Sequence, residues 1–162
     1  GIRLLVDRAV RMRDQGKSAK EIAEALDELK ARVRLFAGLD TLEYLQKGGR
    51  IGKLAAMLGG AIALKPVISC NEEGCYYPIA KTIGRTPSIR KVLELAQKFA
   101  EGCPKVMLAV MHGDAPEEAQ ALAEEVRRKI PQGIVEVRGQ ISPALGVHTG
   151  PGLVGICVLK ME

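Results

Sequence analysis

Apolar residues at Ile2, Leu5, Val6, Ala9 and Val10 recur at helical spacing, which predicts an amphipathic helix over Ile2–Arg13 ending at Gly16. Ser18 and Glu21 then stand three apart ahead of Ile22, Ala25, Leu26 and Leu29. That is a capping box opening a second helix, the serine hydroxyl meeting an orphan amide while the glutamate reaches back. The pair reads as a helical hairpin over residues 1–30, a connecting arm. From Arg32 to Leu39 the period drops to two, with Val33, Leu35, Ala37 and Leu39 on one face, so a half-buried strand follows. Asp40 to Glu43 repeats the capping-box spacing and starts a short helix that breaks at Gly48-Gly49. Val67–Cys70 and Cys75–Thr82 read as a hairpin about Asn71–Gly74, and Pro78 places the return strand at a sheet edge or a bulge. Thr86-Pro87 predicts an N-cap and first helical residue before Ile89, Val92, Leu93, Ala96 and Phe99, and Gly102-Cys-Pro104 stops that helix. Val106–Met111 and Leu153–Leu159 are apolar on both faces, as interior strands are. Between them, Asp114 with Glu117 predicts the cap of a helix carrying Ala119, Leu122, Ala123, Val126 and Ile130, and Ile134–Val137 reads as a strand.

Six strands and about five helices, with hairpin and β-α-β spacings mixed, predict an α/β (α+β) fold. Its sheet is six-stranded, mixed and largely antiparallel, flanked by helices within one domain over 1–162. The stretch Leu42–Pro66 does not fit a plain alternation of elements. After the paired glycines it presents Arg50 and Lys53, then an uncharged run from Leu54 to Leu64. A cationic bend leading into such a run suits an amphipathic ligand with an apolar tail and an anionic head. A buried helix behind a glycine turn gives the same pattern, and the residues leave both readings open.

Composition narrows the classes. Apolar residues make up 47% of the 162 residues but aromatics only 3%, so Leu, Ile, Val and Ala fill the core. The net charge of +5 favours anionic partners, yet the basic residues are interleaved with acids and few aromatics are present to stack bases. Nucleic acid is therefore not an expected partner. The four cysteines, Cys70, Cys75, Cys103 and Cys157, include no C-x-x-C pair, and with two histidines they argue against a metal site. Cys70 and Cys75 flank the hairpin turn and could face each other across it, but reduced thiols are the favoured reading. No apolar run reaches the ~18 residues of a membrane span and no signal peptide is visible, so a cytoplasmic protein without an integral membrane segment is expected.

Few residues are candidates for chemistry. His148 and Thr149 lie in Gly146-Val-His-Thr-Gly-Pro-Gly152 just before the last strand, in what reads as a glycine-rich loop. Both side chains and the neighbouring amides can bind an oxyanion. A structural turn carrying a histidine fits equally well. His112, ahead of Gly113-Asp114, reads as orienting the next helix cap. Arg85, after Gly84 at a strand-to-helix turn, is either a surface arginine or an anion contact at a helix start. No nucleophile is paired with a base, so the chain does not read as an enzyme and implies no cofactor.

The run Leu42-Glu-Tyr-Leu-Gln-Lys-Gly-Gly-Arg-Ile-Gly-Lys53, with Lys65-Pro66 behind it and His148-Thr-Gly-Pro-Gly152 near the end, resembles the DegV family of bacterial fatty-acid-binding proteins. Leu39-Asp40-Thr41, Gly84-Arg85 and His112-Gly-Asp-Ala-Pro116 extend the likeness. The similarity is to the family's C-terminal domain, which implies that an N-terminal domain is missing from this chain. It also implies a long-chain fatty acid held between the domains, its carboxylate presented to a fatty-acid kinase for acyl-phosphate formation in phospholipid synthesis. By the same resemblance His148 grips the head group with Arg50 near it, and Arg85 belongs to the partner-contact surface; Thr149 and Gly49 join the fatty-acid-binding candidates and Lys53 the partner-contact ones. Thr86-Pro87-Ser88 departs from the basic residues usual after the family's Gly-Arg pair. The alternative is a small regulatory domain that binds another carboxylate metabolite or mediates dimerisation. The uncharged wall Leu54–Leu64 favours the lipid carrier.

Overall fold

The computed structural model describes residues 1–57 and 63–161, the side chains of 136–138 excepted. In chain order these form α1 (Ile2–Asp14), α2 (Ala19–Lys30), β1 (Val33–Gly38), α3 (Glu43–Lys47), a short 3₁₀ helix (Gly52–Met57) and β2 (Leu64–Cys70). There follow β3 (Tyr76–Ile83), α4 (Arg85–Ala100), β4 (Val106–Gly113), α5 (Pro116–Lys129), β5 (Gly133–Gln140), α6 (Pro143–Thr149) and β6 (Leu153–Lys160).

The six strands form one sheet in the order β3-β2-β1-β6-β4-β5, in which only β4 and β5 run parallel. The expected mixed, largely antiparallel sheet is what the chain builds. The two runs apolar on both faces are its interior: β6 lies between β1 and β4, and Leu153–Leu159 are all buried. β3 is an edge strand, and the register slips between Val67 and Ile68, opposite Pro78 and Ala80. Proline thus sits where both readings of it placed it, at an edge and at a bulge. Cys70 stands opposite Tyr76, not Cys75, and the four cysteines are free thiols.

One face of the sheet is sealed by α4 and α5. Phe36, Val67, Leu108, Val110, Ile156 and Val158 meet Val92, Leu93, Ala96, Leu122 and Val126 in the main core. The other face is covered in two pieces. At one end, Leu4 of α1 packs on Met107, Ala109, Cys157 and Leu159. At the other, Leu42 and Leu45, with Leu54 and Met57 of the 3₁₀ helix, pack on Ala37, Ile68 and Leu153. Leu35 touches both clusters and stays only half-buried.

Several local expectations are corrected. On α1 the face buried is that of Leu4, while Ile2, Val6 and Val10 are 81%, 49% and 41% exposed, so the apolar arc is wider than the surface it covers. α4 starts at Arg85 with Gly84 (φ 87°) as its N-cap, two residues ahead of the Thr86-Pro87 signal. Asp114 does not cap α5: Ala115 is the N-cap, Pro116 the first helical residue, and Asp114 itself takes φ 53°. Asp40 does not cap α3, because Lys65 holds its Oδ1 at 2.8 Å and its carbonyl oxygen at 2.9 Å. Of the uncharged run, Leu54 and Met57 are buried in the 3₁₀ helix and β2 begins at Leu64; residues 58–62 between them are outside the described residues. The capping box of α2 forms as read, with Ser18 Oγ accepting from the Glu21 amide and Glu21 Oε2 accepting from the Ser18 amide.

Candidate functional site

α3 ends in a Schellman turn. The Gly49 amide donates to Gln46 O and the Arg50 amide to Leu45 O, with Gly49 at φ 68° in the left-handed position such a turn requires. Gly48, by contrast, has ordinary helical torsions, and its need for glycine is one of space. A β-carbon on Gly48 would sit 2.2 Å from Nδ1 of His148.

His148 reaches Gly48 from a helix and not from a loop. Pro143 at the first position of α6 sets a helix that runs through His148 and Thr149, and Gly150 ends it at φ 74°, ψ 176°. Glycine richness concealed this: Gly146 is an interior helical residue. The consequence for chemistry is direct. Thr149 is buried and its Oγ1 donates to Leu145 O at 3.1 Å, so its proton is committed to its own helix. The Gly150 amide donates to Gly146 O and the Gly152 amide to Gly113 O, so neither is free for an anion nest.

His148 and Arg50 remain. Arg50 is exposed, and its Nη1 donates to the Gly48 carbonyl at 2.7 Å. His148 Nδ1 is buried without a hydrogen-bond partner. The two motifs read separately in the sequence therefore meet at Gly48, which carries the histidine ring on one side and the guanidinium on its carbonyl. Tyr44, which the sequence analysis did not single out, is part of this meeting. A β-carbon on Gly150 would lie 2.3 Å from its ring.

Beside this contact, at the same end of the sheet, lies a cavity of about 450 Å³ lined by Arg85 with Asp40, Asp114, Glu117, Glu118 and Gly152 among others. Arg85 forks onto Glu118, Nε donating to Oε1 at 2.9 Å and Nη2 to Oε2. Hydrogen bonding from Arg85 lowers the Glu118 carboxyl below its ordinary range, against a smaller opposing effect of burial. Four carboxylates around one arginine repel an acyl carboxylate, so this cavity is not where such a head group belongs. Lys53 is exposed on the 3₁₀ helix. His112 orients the start of α5 as its position suggested, Nδ1 accepting from the Ala115 amide at 3.2 Å. Among the described residues no group of three or more His, Cys, Asp or Glu is arranged to hold a metal ion, and no helix is long and apolar enough to cross a membrane.

The model of a family described as uncharacterised proteins of the DegV family matches residues 1–161. The chain belongs to the DegV family. DegV domain-containing proteins of Clostridium acetobutylicum and Clostridium perfringens are 38% identical over 156 residues and 40% identical over 157. Each match covers 96% of this chain and 55% of the relative, so the chain spans about half the length of these curated relatives. Among solved structures, a DegV protein from Thermus thermophilus described by its fatty-acid binding matches with a TM-score of 0.88 and 26% identity, over 98% of this chain and 56% of that one. A stearic-acid-binding protein from Eubacterium ventriosum matches with a TM-score of 0.84 and 30% identity, over 97% of this chain and 54% of that one. The fold, a mostly antiparallel open sheet flanked by helices, thus matches DegV structures.

Proposed function

We propose that this chain is the lipid-binding half of a two-domain DegV protein that holds one long-chain fatty acid and presents its carboxylate to a partner kinase. The observation that carries the reading is the convergence of His148 and Arg50 on Gly48. This convergence places two cationic or hydrogen-donating groups beside the apolar cluster of Leu42, Leu45, Leu54 and Met57. Half-buried Ile51, Leu64, Tyr76, Met111 and Leu145 fringe that cluster and offer an acyl chain a surface continuous with the core. The fatty-acid binding described for the Thermus thermophilus and Eubacterium ventriosum proteins supports the ligand class.

In this reading His148 donates to the carboxylate and Arg50 supplies charge, Gly49 makes the bend that lets Arg50 turn back, and Thr149 braces α6 from within. The protein is a cytoplasmic carrier and not a catalyst; the chemistry of acyl-phosphate formation belongs to the kinase. Lys53, exposed on the 3₁₀ helix, and Arg85 are the residues this reading assigns to contact with that partner. The remaining ligands of the carboxylate come from the other domain. Losing two or three hydrogen bonds to a charged group, at ~1.5–3 kcal/mol each, leaves the isolated half a weak binder.

Native mass spectrometry of protein purified from bacteria tests this, on the chain alone and on the chain joined to the rest of its two-domain protein. One retained acyl chain on the joined protein, and little on the half, is expected. Bare protein in both cases would refute fatty-acid carriage, and equal retention would refute a pocket shared between domains.

A further inference from the structure

We propose that Tyr44 and Gly48 of α3 are positioning residues that lock the His148 imidazole, leaving Nε2 as the nitrogen that meets the ligand carboxylate. The inference rests on the reading of His148 as a head-group ligand.

Two contacts between α3 and α6 are reciprocal. Gly48 gives up a side chain to admit the His148 ring, with Nδ1 2.2 Å and Cε1 3.1 Å from where a β-carbon would stand. Gly150 gives up a side chain to admit the Tyr44 ring, with Cδ2, Cε2 and Cγ at 2.3, 2.7 and 2.8 Å from that position. Tyr44 and Gly48 lie one helical turn apart on α3, and the Gly48 amide donates to Tyr44 O, so the two seats move as one body. His148 and Gly150 are likewise joined through the end of α6. Each helix carries one ring and one bare backbone seat. Such crossed packing fixes rotation and translation together, which a single contact would not.

The latch also chooses an edge of the ring. Nδ1 is turned into Gly48, buried and without a partner. An unpaired buried nitrogen is costly, and here the packing into the Gly48 seat imposes that cost. Nε2 is then the nitrogen left for a ligand. Arg50, donating to the carbonyl of the same Gly48, is held to the same reference point, so head-group donor and charge stay in register.

NMR can read this because the chain has only two histidines, and His112 is separately held by the Ala115 amide. In the wild-type chain a nuclear Overhauser contact is expected between His148 Hε1 and a Gly48 Hα, together with a Gly150 Hα displaced upfield by the Tyr44 ring. Absence of both overturns the latch without any variant. Gly48→Ala and Tyr44→Ala should each move the His148 signals and leave those of His112 in place, while Tyr44→Phe, which keeps the ring, should restore them. Unmoved His148 signals in either folded variant overturn the proposal. Oleate affinity of the two-domain protein should fall roughly tenfold to a hundredfold in Gly48→Ala and Tyr44→Ala, as for a lost charge-assisted hydrogen bond, and recover in Tyr44→Phe. If the His148 signals move but affinity holds, the latch stands and it is the head-group assignment of His148 that fails.

Discussion

Gly150→Ala should be among the most damaging single-methyl additions in this chain. The new β-carbon would lie 2.3 Å from Tyr44 Cδ2, well inside the 3.4–4 Å of ordinary contact, so the ring or the helix end must shift. Forcing an extra methyl into a packed contact costs about 1–3 kcal/mol. A second cost is independent of the ring: Gly150 holds φ 74°, ψ 176°, a region that is almost exclusively glycine's, and a side chain there adds about 1–3 kcal/mol. The two together predict a loss of ~2–6 kcal/mol. For a chain of this size each kcal/mol moves the midpoint by roughly 2–4 °C, so a fall on the order of 10 °C is expected. Urea denaturation followed by circular dichroism measures it. Gly146→Ala is the control. That glycine lies four residues earlier in α6 with no atom within 4 Å of its would-be β-carbon, and alanine there should be neutral or stabilising by up to ~1 kcal/mol. Gly150→Ala placed in a Tyr44→Ala background separates the terms: measured against Tyr44→Ala alone, it should leave about 1–3 kcal/mol of backbone cost. A Gly150→Ala loss below ~0.5 kcal/mol would refute both the ring contact and the backbone argument.

Other expectations follow from the same geometry. Gly49→Val should cost about 1–2 kcal/mol through its φ of 68° alone, with no atom within 4 Å of the added β-carbon, and unchanged urea stability would show that the bend does not need glycine. The Ser18 amide, and then its hydroxyl, bring the Glu21 carboxyl down to about 2. A depressed carboxylate stabilises above its unfolded value, so the contribution of this cap to α2 should be intact at neutral pH and fade from about pH 4.5 toward 2. A Glu21→Gln variant that titrates like the wild type over that window would contradict the cap. Glu118→Gln should cost ~0.5–1 kcal/mol, a modest value because the pair is partly exposed, and should remove an increment of stability that the wild type loses only in acid, which a pH series of urea midpoints checks. Alkylation mapped by peptide mass should label exposed Cys75 ahead of Cys70, whose thiol burial pushes up, and ahead of buried Cys157; the reverse order would place the hairpin wrongly.

The sheet was legible because its signals are redundant. Val106–Met111 and Leu153–Leu159 are apolar at every position, and only interior strands need that. Pro78 could be read two ways and the structure uses both. Caps were harder. Ser18 and Glu21 bond as their spacing implies, yet Asp40 and Asp114, in equally good spacing, serve an ion pair and a left-handed turn. Spacing offers a carboxylate to an amide but does not show a lysine arriving from residue 65 to compete for it. α6 was missed because Gly146, Gly150 and Gly152 suggest a loop, whereas Pro143 and the helical carbonyl of Leu145 decide otherwise. The site was half legible. Arg50 and His148 stood out in their motifs, but their meeting at Gly48 depends on which glycine needs space and which needs a positive φ, and composition treats the two alike.

The central claim is that a fatty-acid carboxylate is held where His148 and Arg50 converge. Calorimetry of oleate binding to the two-domain protein, wild type against His148→Ala, tests it most directly. Removing the imidazole should leave a charged oxygen short of one donor, a loss of about 1.5–3 kcal/mol, or roughly tenfold to a hundredfold in affinity. One-to-one binding weakened by that factor is the predicted result. An affinity for oleate that ignores His148 would contradict the account and leave Arg50 as the cationic anchor for the head group in this half.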